Sequence, residues 1–166
     1  MSRRGEEFDR FVQDQAAPLH RLAYMMCGDW HLADDLVQEA FVKCFNHWGR
    51  VQRSDNPAAY VRRILINESN RHWRRHRQHT PTGGTTGPEA STADDSTPVT
   101  ERAALLQALM SLPPGQRAVV ILRHLEDLSE HETARLLGCS EGTVKSQNAR
   151  ALKTLKINFE QQEICQ

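Results

Sequence analysis

Residues Leu128–Lys156 read LSEHETARLLGCSEGTVKSQNARALKTLK, and this stretch decides the fold. Ser129 followed by Glu132 has the spacing of a capping box, in which two side chains satisfy two free N–H groups at a helix start. Ala134, Leu136 and Leu137 give that helix a short apolar face. Gly138 predicts its end, because glycine enters the left-handed conformation without strain. Ser140 is placed to cap a second helix, with Val144, Ala151, Leu152 and Leu155 on its inner side. Lys145, Ser146, Gln147, Arg150 and Lys153 lie on or near its outer side. A short helix, a tight glycine turn and a basic second helix form the helix-turn-helix pattern that sets one helix in a DNA major groove. The alternative is a helical hairpin with a solvated basic face.

Upstream, Ala104, Leu105, Ala108, Leu109 and Leu112 predict a helix that Pro113-Pro114-Gly115 stops. A further helix from about Gln116 carries Val119, Val120, Leu122 and Leu125 into the same core. Four short helices thus make a small domain over residues 102–166. Before it, residues 78–101 (QHTPTGGTTGPEASTADDSTPVTE) hold one aliphatic residue larger than alanine, Val99, and no aromatic. Such a segment cannot bury enough surface to offset its ordering entropy, and it predicts a disordered, mildly acidic linker.

Residues 1–77 form the other half. Phe8, Phe11, Val12, Leu19, Leu22, Ala23 and Met26 predict a helix from Glu6 to Cys27, with Pro18 placed to kink or divide it. A second helix, about His31–Trp48, shows Ala33, Leu36, Val37, Ala40, Phe41, Cys44 and Phe45 on one side. Its other side carries Asp34, Asp35, Gln38, Glu39 and Lys43. A polar loop is expected from Gly49 to Asn56. Asn56-Pro57 then opens a helix through Ala59, Tyr60, Ile64, Leu65 and Ile66. Asn67, Glu68 and Ser69 are turn-prone and predict a break, after which Asn70 would cap a basic helix, NRHWRRHRQH. The uses that suit that helix are phosphate contact, with Trp73 anchoring or stacking, or a solvated helix end.

Net charge is zero, from 21 basic and 21 acidic side chains. Its distribution is uneven. Residues 51–80 carry seven Arg against two acids, residues 81–101 four acids and no Lys or Arg, and residues 142–156 four basic groups and no acid. Two basic patches flank an acidic spacer. The four cysteines lie far apart without a C-x-x-C pair, which argues against a disulfide framework and fits a reducing cytosol. The N-terminus lacks the apolar run of a signal peptide and no stretch reaches membrane-spanning length, so a cytoplasmic protein is expected.

The whole chain resembles an extracytoplasmic-function (group IV, sigma-70 family) sigma factor, the dissociable promoter-recognition subunit of bacterial RNA polymerase. Three stretches carry the resemblance: DDLVQEAFVKCF (Asp34–Phe45), NPAAYVRRILINESNRHWRR (Asn56–Arg75) and LPPGQRAVVILRHLEDLSEHETARLLGCSEGTVKS (Leu112–Ser146). It implies an all-α fold of two small helical domains, region 2-like and region 4-like, joined by a flexible linker. It implies as partners the polymerase core, through the clamp helices of the beta-prime subunit and the beta flap, and promoter DNA. An anti-sigma protein is usual in the family, although no residue here names one.

By the resemblance, Asp35, Gln38 and Glu39 contact the clamp; acids and an amide suit its arginines. The competing account of those acids is compensation of the helix dipole. The minus-ten element would be read by Asn67, Glu68, Ser69 and Asn70, in a loop over a flipped base. Tyr60 would assist melting, or simply pack in the core, beside Arg62, Arg63, Arg71, Trp73, Arg74 and Arg75. Thr143, Lys145, Ser146, Gln147, Arg150 and Lys153 would face the minus-thirty-five element. The family commonly carries arginine at the position of Gln147 and a bulky residue near Ala149, so these positions set the promoter preference apart.

An enzyme is disfavoured, since no phosphate loop, paired acid or nucleophile constellation appears. No cofactor or catalytic residue is called for. His72, His76 and His79 share helical spacing, but the interleaved arginines are hostile to a metal cation. A stand-alone repressor is the runner-up; it would need a dimer interface or ligand pocket in residues 1–77.

Overall fold

The computed structural model describes residues 2–79 and 98–164. The described residues are helical apart from short turns, and the chain divides into two compact units after Gly84.

In the first unit, α1 (Arg3–Cys27) starts at Ser2, whose hydroxyl accepts from the Gly5 N–H at 3.4 Å. Pro18 lies on the exposed side and α1 runs through it without division. Gly28 ends the helix at φ 71°, its N–H donating to the Tyr24 carbonyl. Asp29 caps α2 (Trp30–Asn46), its carboxylate accepting from His31 N at 2.8 Å and Leu32 N at 3.3 Å. The expected polar loop after α2 begins with a further turn of helix, α3 (Trp48–Val51), which buries Trp48 and Val51. Two large apolar groups three positions apart justify that turn. Helix α4 (Pro57–His79) follows, with the Asn56 side chain accepting from Ala59 N at 3.0 Å.

The core of this unit is Leu19, Leu22, Ala23 and Met26 of α1, Ala33, Leu36, Val37, Ala40 and Cys44 of α2, and Val61, Leu65 and Ile66 of α4. Val61 is fully buried where the sequence suggested Ala59, which is exposed. Phe8 packs on Phe45 and Trp48 at 4.9 and 5.2 Å between ring centres, closing the end of α1 over α3. Burial pushes the Cys44 thiol up to about 11, so it is an inert core group.

The expected break at Asn67–Asn70 does not occur: α4 is one helix from Pro57 to His79. Glu68 and Ser69 are buried, and Glu68 forms an ion pair with Lys43 of α2. That contact between helices outweighs the weak preference of Asn and Ser for turns.

In the second unit, α5 (Pro98–Met110) is closed by Arg117, which donates to the carbonyls of Leu109 at 2.9 Å and Leu112 at 3.1 Å. Leu109 and Leu112 are buried, whereas Leu105 is exposed. Helix α4 thus reaches His79 and α5 starts at Pro98, inside both margins of the expected linker; residues 80–97 lie outside the described residues. Helix α6 (Pro114–Val120) passes into a π turn, Ile121–Leu125. The wider turn takes up one extra residue. It buries Ile121 and Leu122 but rotates Leu125, expected in the core, into solvent. Asp127 follows in the left-handed region at φ 54°, and Arg123 donates to the Leu128 carbonyl at 2.5 Å.

Helices α7 (Glu130–Leu137) and α8 (Glu141–Ile164) form the helix-turn-helix over a core of Val119, Ala134 and Val144, with Leu137 and Cys139 against it. Both halves of the capping box are formed: Glu132 N donates to Ser129 Oγ at 3.0 Å, and Ser129 N to Glu132 Oε2 at 2.8 Å. Those bonds from Ser129 hold the Glu132 carboxyl below its usual range. Gly138 turns the chain at φ 67°. A side chain there is strained whatever the space around it, so Gly138→Ala should lower stability by about 1 kcal/mol. Ser129→Ala should cost a similar amount, about 1 kcal/mol, by removing the cap. Urea unfolding of the full chain, followed by the transition of the second unit, checks both. Ala151 is buried as expected but Leu152 is exposed, because the inner line of α8 runs through Val144, Ala151 and Leu155.

Candidate functional site

Three surfaces are built on this frame, two in the first unit and one in the second. On α2, the line away from the core carries Asp35, Gln38, Val42 and Phe45, all exposed. Asp34 sits beside this line, bonded by His20 Nε2 at 2.9 Å and by the Gln38 amide, which donates to it at 3.0 Å. Gln38 is therefore held in one orientation. Glu39 stands 3.4 Å from the Lys43 ammonium. Val42 is 60% exposed, an apolar group between Gln38 and Phe45 on the same face. Sequence reasoning passed over it, although its place four residues after Gln38 was the available signal.

On α4 the expected minus-ten residues do not share one face. Arg63, Asn67, Asn70 and Arg74 recur at i, i+4, i+7 and i+11, forming one stripe on the exposed side. Tyr60 is half-buried beside it and Arg71 exposed beside it. Arg62 and Trp73 lie half-buried on the side toward the core, and Glu68 and Ser69 are buried. Those four side chains point away from the stripe that a nucleic acid would meet. Arg75 and His76 are exposed further along, and His76 packs on His72 with ring centres 4.6 Å apart. Burial, with the charges of His76 and Arg75, holds the His72 imidazole below its ordinary value. The His79 side chain lies outside the described residues; among those described, no cluster of His, Cys, Asp or Glu could hold a metal ion.

On α8 the Ser140 hydroxyl accepts from Thr143 N at 3.1 Å and lies 2.9 Å from the Thr143 hydroxyl. Ser146 donates to the Thr143 carbonyl at 3.0 Å, which leaves its oxygen able to accept. Gly142, Ser146, Ala149 and Lys153 occupy the middle of the exposed face, flanked by Lys145 and Arg150. Gln147, expected on or near the outer side, is half-buried at the margin next to the core. Two pairs tie the start of α7 to the start of α8: Glu130 with Lys145 at 3.6 Å, and His131 with Glu141 at 2.8 Å. The basic face of α8 is thus bordered by Glu141 at its own start and by Glu130, which comes from α7.

An acidic-to-apolar face on one helix, a stripe of arginines and asparagines on another and a basic second helix of a helix-turn-helix suit protein binding, single-strand contact and groove contact in turn. Residues 11–79 match the family model of sigma-70 region 2, and residues 102–155 that of sigma-70, region 4. The chain is 38% identical over 159 residues to the RNA polymerase sigma-E factor of Streptomyces avermitilis, spanning 95% of this chain and 88% of that one. It is 34% identical over 151 residues to the ECF RNA polymerase sigma factor SigM of Mycobacterium tuberculosis, spanning 87% and 72%. Among solved structures, the sigma factor RpoE in complex with the anti-sigma factor NepR from Bartonella quintana aligns with a TM-score of 0.64 at 22% identity, over 93% of this chain and 98% of that one. CnrH in complex with the cytosolic domain of CnrY aligns with a TM-score of 0.60 at 22% identity, over 94% and 89%. These two likenesses speak for the fold.

Proposed function

This chain belongs to the extracytoplasmic-function sigma factors of the sigma-70 family, and from that premise we propose how its surfaces divide the work. As a sigma factor it binds RNA polymerase core and directs promoter-specific initiation, with region 2 serving the minus-ten element and region 4 the minus-thirty-five element. Sigma factors are non-enzymatic regulators of transcription, and we assign no catalytic residue and no cofactor.

We assign polymerase binding to Asp35, Gln38, Glu39 and Val42. The observation that supports it is the exposed line of α2, polar at Asp35 and Gln38 and apolar at Val42 and Phe45. Carboxylates and a pre-oriented amide suit arginines of the clamp, and a valine suits the dehydrated centre of an interface.

The minus-ten strand is assigned to Arg63, Asn67, Asn70, Arg71 and Arg74, with Arg75 further along and Tyr60 as the melting aromatic. Amide groups read the edge of an unstacked base while guanidinium groups hold the phosphates. Arg62, Trp73, Glu68 and Ser69 support the helix from behind. For the minus-thirty-five element, Lys145, Ser146, Arg150 and Lys153 face the groove with Thr143 at the helix start, and Ala149 sets how closely the helix approaches. Gln147 acts from the margin.

The groove between α5 and α8, lined by Ala104, Ala108 and Phe159, is the surface we assign to the beta flap. An anti-sigma protein is the inhibitor we expect, since two solved structures of similar fold hold their sigma factors with one or with the cytosolic domain of a partner. No helix among the described residues is long and apolar enough to cross a membrane, and we propose a cytoplasmic site of action.

Transcription of a genomic promoter pool by purified core polymerase, with and without the chain, tests the assignment. New start sites sharing one minus-ten and one minus-thirty-five sequence are expected. An unchanged set of starts would sink it.

A further inference from the structure

Glu68 is the buried acid of the first unit, its side chain 8% exposed, and it lies on the turn of α4 between Arg63 and Arg74. A carboxylate so far from water needs compensating charge from the protein. Two cations supply it. The Lys43 ammonium, from α2, pairs with Glu68 Oε1, and the Arg71 guanidinium stands 3.9 Å from the same oxygen. Lys43 also lies 3.4 Å from Glu39, one helical turn back on α2. Four side chains thus form a chain of alternating charge, Glu39, Lys43, Glu68, Arg71, crossing from α2 to α4.

Its ends differ from its middle. Glu39 is about half exposed at 53% and Arg71 is 58% exposed, while Glu68 is enclosed. Glu39 and Arg71 also belong to different surfaces, one turned to a protein partner and the other to nucleic acid. Lys43 divides its charge between two carboxylates, and Arg71 makes up what Lys43 leaves short at Glu68. When a cation of a partner pairs with Glu39, the Lys43 charge falls fully on Glu68 and Arg71 is released to bind phosphate. The reverse holds by linkage: phosphate on Arg71 draws Lys43 to Glu68 and frees Glu39 for its partner.

We propose that Lys43 and Glu68 are positioning residues that couple the polymerase face of α2 to the minus-ten face of α4, so that filling either face strengthens the other. The proposal rests on the assignments of Glu39 to polymerase and Arg71 to DNA, and it adds the link between them. It also accounts for an acid buried within the basic helix, where a DNA-reading role would leave its burial without purpose.

The test uses the full chain and a fluorescent single-stranded minus-ten oligonucleotide, with no polymerase present. Glu39→Gln imitates the occupied clamp site, since it removes the competing carboxylate from Lys43. It should raise oligonucleotide affinity about threefold, the size expected for release of one partly exposed pair. Asp35→Asn changes the charge of the same face equally without touching Lys43, and it should change affinity by less than about 1.5-fold once screening by salt is allowed for. In a Lys43→Met, Glu68→Gln background the buried charges are removed together, and circular-dichroism melting verifies the fold. There, Glu39→Gln should have no effect.

A Glu39→Gln effect that is absent, that persists in that background or that Asp35→Asn reproduces would overturn the coupling. So would an absence of oligonucleotide binding by every variant. Arg71→Ala separates the two levels. If it lowers affinity while Glu39→Gln does nothing, the DNA assignment stands and the coupling falls. If Arg71→Ala does nothing, the DNA assignment of that residue falls as well.

Discussion

Asp35→Arg should weaken binding of the full chain to core RNA polymerase by about thirtyfold, the loss expected when one partner of a close interfacial charge pair is reversed. Asp35 is exposed at the start of the polar line of α2, so the substitution disturbs no buried contact. The second unit folds around its own core of Val119, Ala134 and Val144 and should bind duplex minus-thirty-five DNA as before. Titration of labelled chain with core polymerase measures the first quantity. Equal affinity for core would remove Asp35 from the interface. A parallel loss of melting temperature would mean that the substitution acts through the fold.

The second large effect concerns Asn67. This residue is exposed on the stripe shared by Arg63, Asn70 and Arg74, with an amide able to bond a base edge. Asn67→Ala should slow promoter opening by about tenfold, the cost of one base contact. Ser69, two positions on, is 8% exposed and faces the core. Ser69→Ala removes a hydroxyl that no strand can reach, and it should leave opening within about twofold, as expected of a change outside the contact surface. Permanganate footprinting of the melted bases in the holoenzyme measures both. An equal loss from the two substitutions would favour an unwound Asn67–Asn70 segment in the complex over the continuous helix.

The contrast between Asn67 and Ser69 also marks how far the sequence could be read. The start of α7 and the turn of the helix-turn-helix were legible to the residue, because their signals are local: Ser129 and Glu132 are three apart, and Gly138 acts on its own backbone. The opening of α4 at Asn56 and the capping of α8 by Ser140 belong to the same kind. The continuity of α4 was not legible. Asn-Glu-Ser-Asn is turn-prone by itself, and the group that holds it helical, Lys43, is 25 residues away in the chain. Leu125 was misplaced for a different reason. A 3.6-residue period puts it in the core, whereas the π turn at Ile121–Leu125 advances the register by one residue and exposes it.

The candidate surfaces were legible in the same measure. The resemblance singled out Asp35, Gln38 and Glu39, and helical spacing puts them on the exposed side of α2, whereas Val42, exposed on the same side, fell in neither the apolar nor the polar pattern. On α8 Lys145, Ser146, Arg150 and Lys153 are exposed as the helical spacing predicted, whereas Gln147 lies at the margin and Ala149 in the middle, since packing against α6 and α7 fixes the rotation of the helix. The pairs at the border of the basic face, Glu130 with Lys145 and His131 with Glu141, join α7 to α8, and the local sequence of α8 carries no mark of its partners on α7.

The central claim is that the first unit carries two separable surfaces, one for polymerase and one for the melted strand. The measurement that tests it most directly is open-complex formation by holoenzymes assembled with increasing amounts of Asp35→Arg or Asn67→Ala chain. A defect in core binding should be overcome by excess chain, so Asp35→Arg should reach the wild-type plateau at about thirtyfold higher concentration. Asn67→Ala should saturate at the wild-type concentration and remain slow to open. If both variants were rescued by excess chain, or neither, the two surfaces would not be separate and the account would be contradicted.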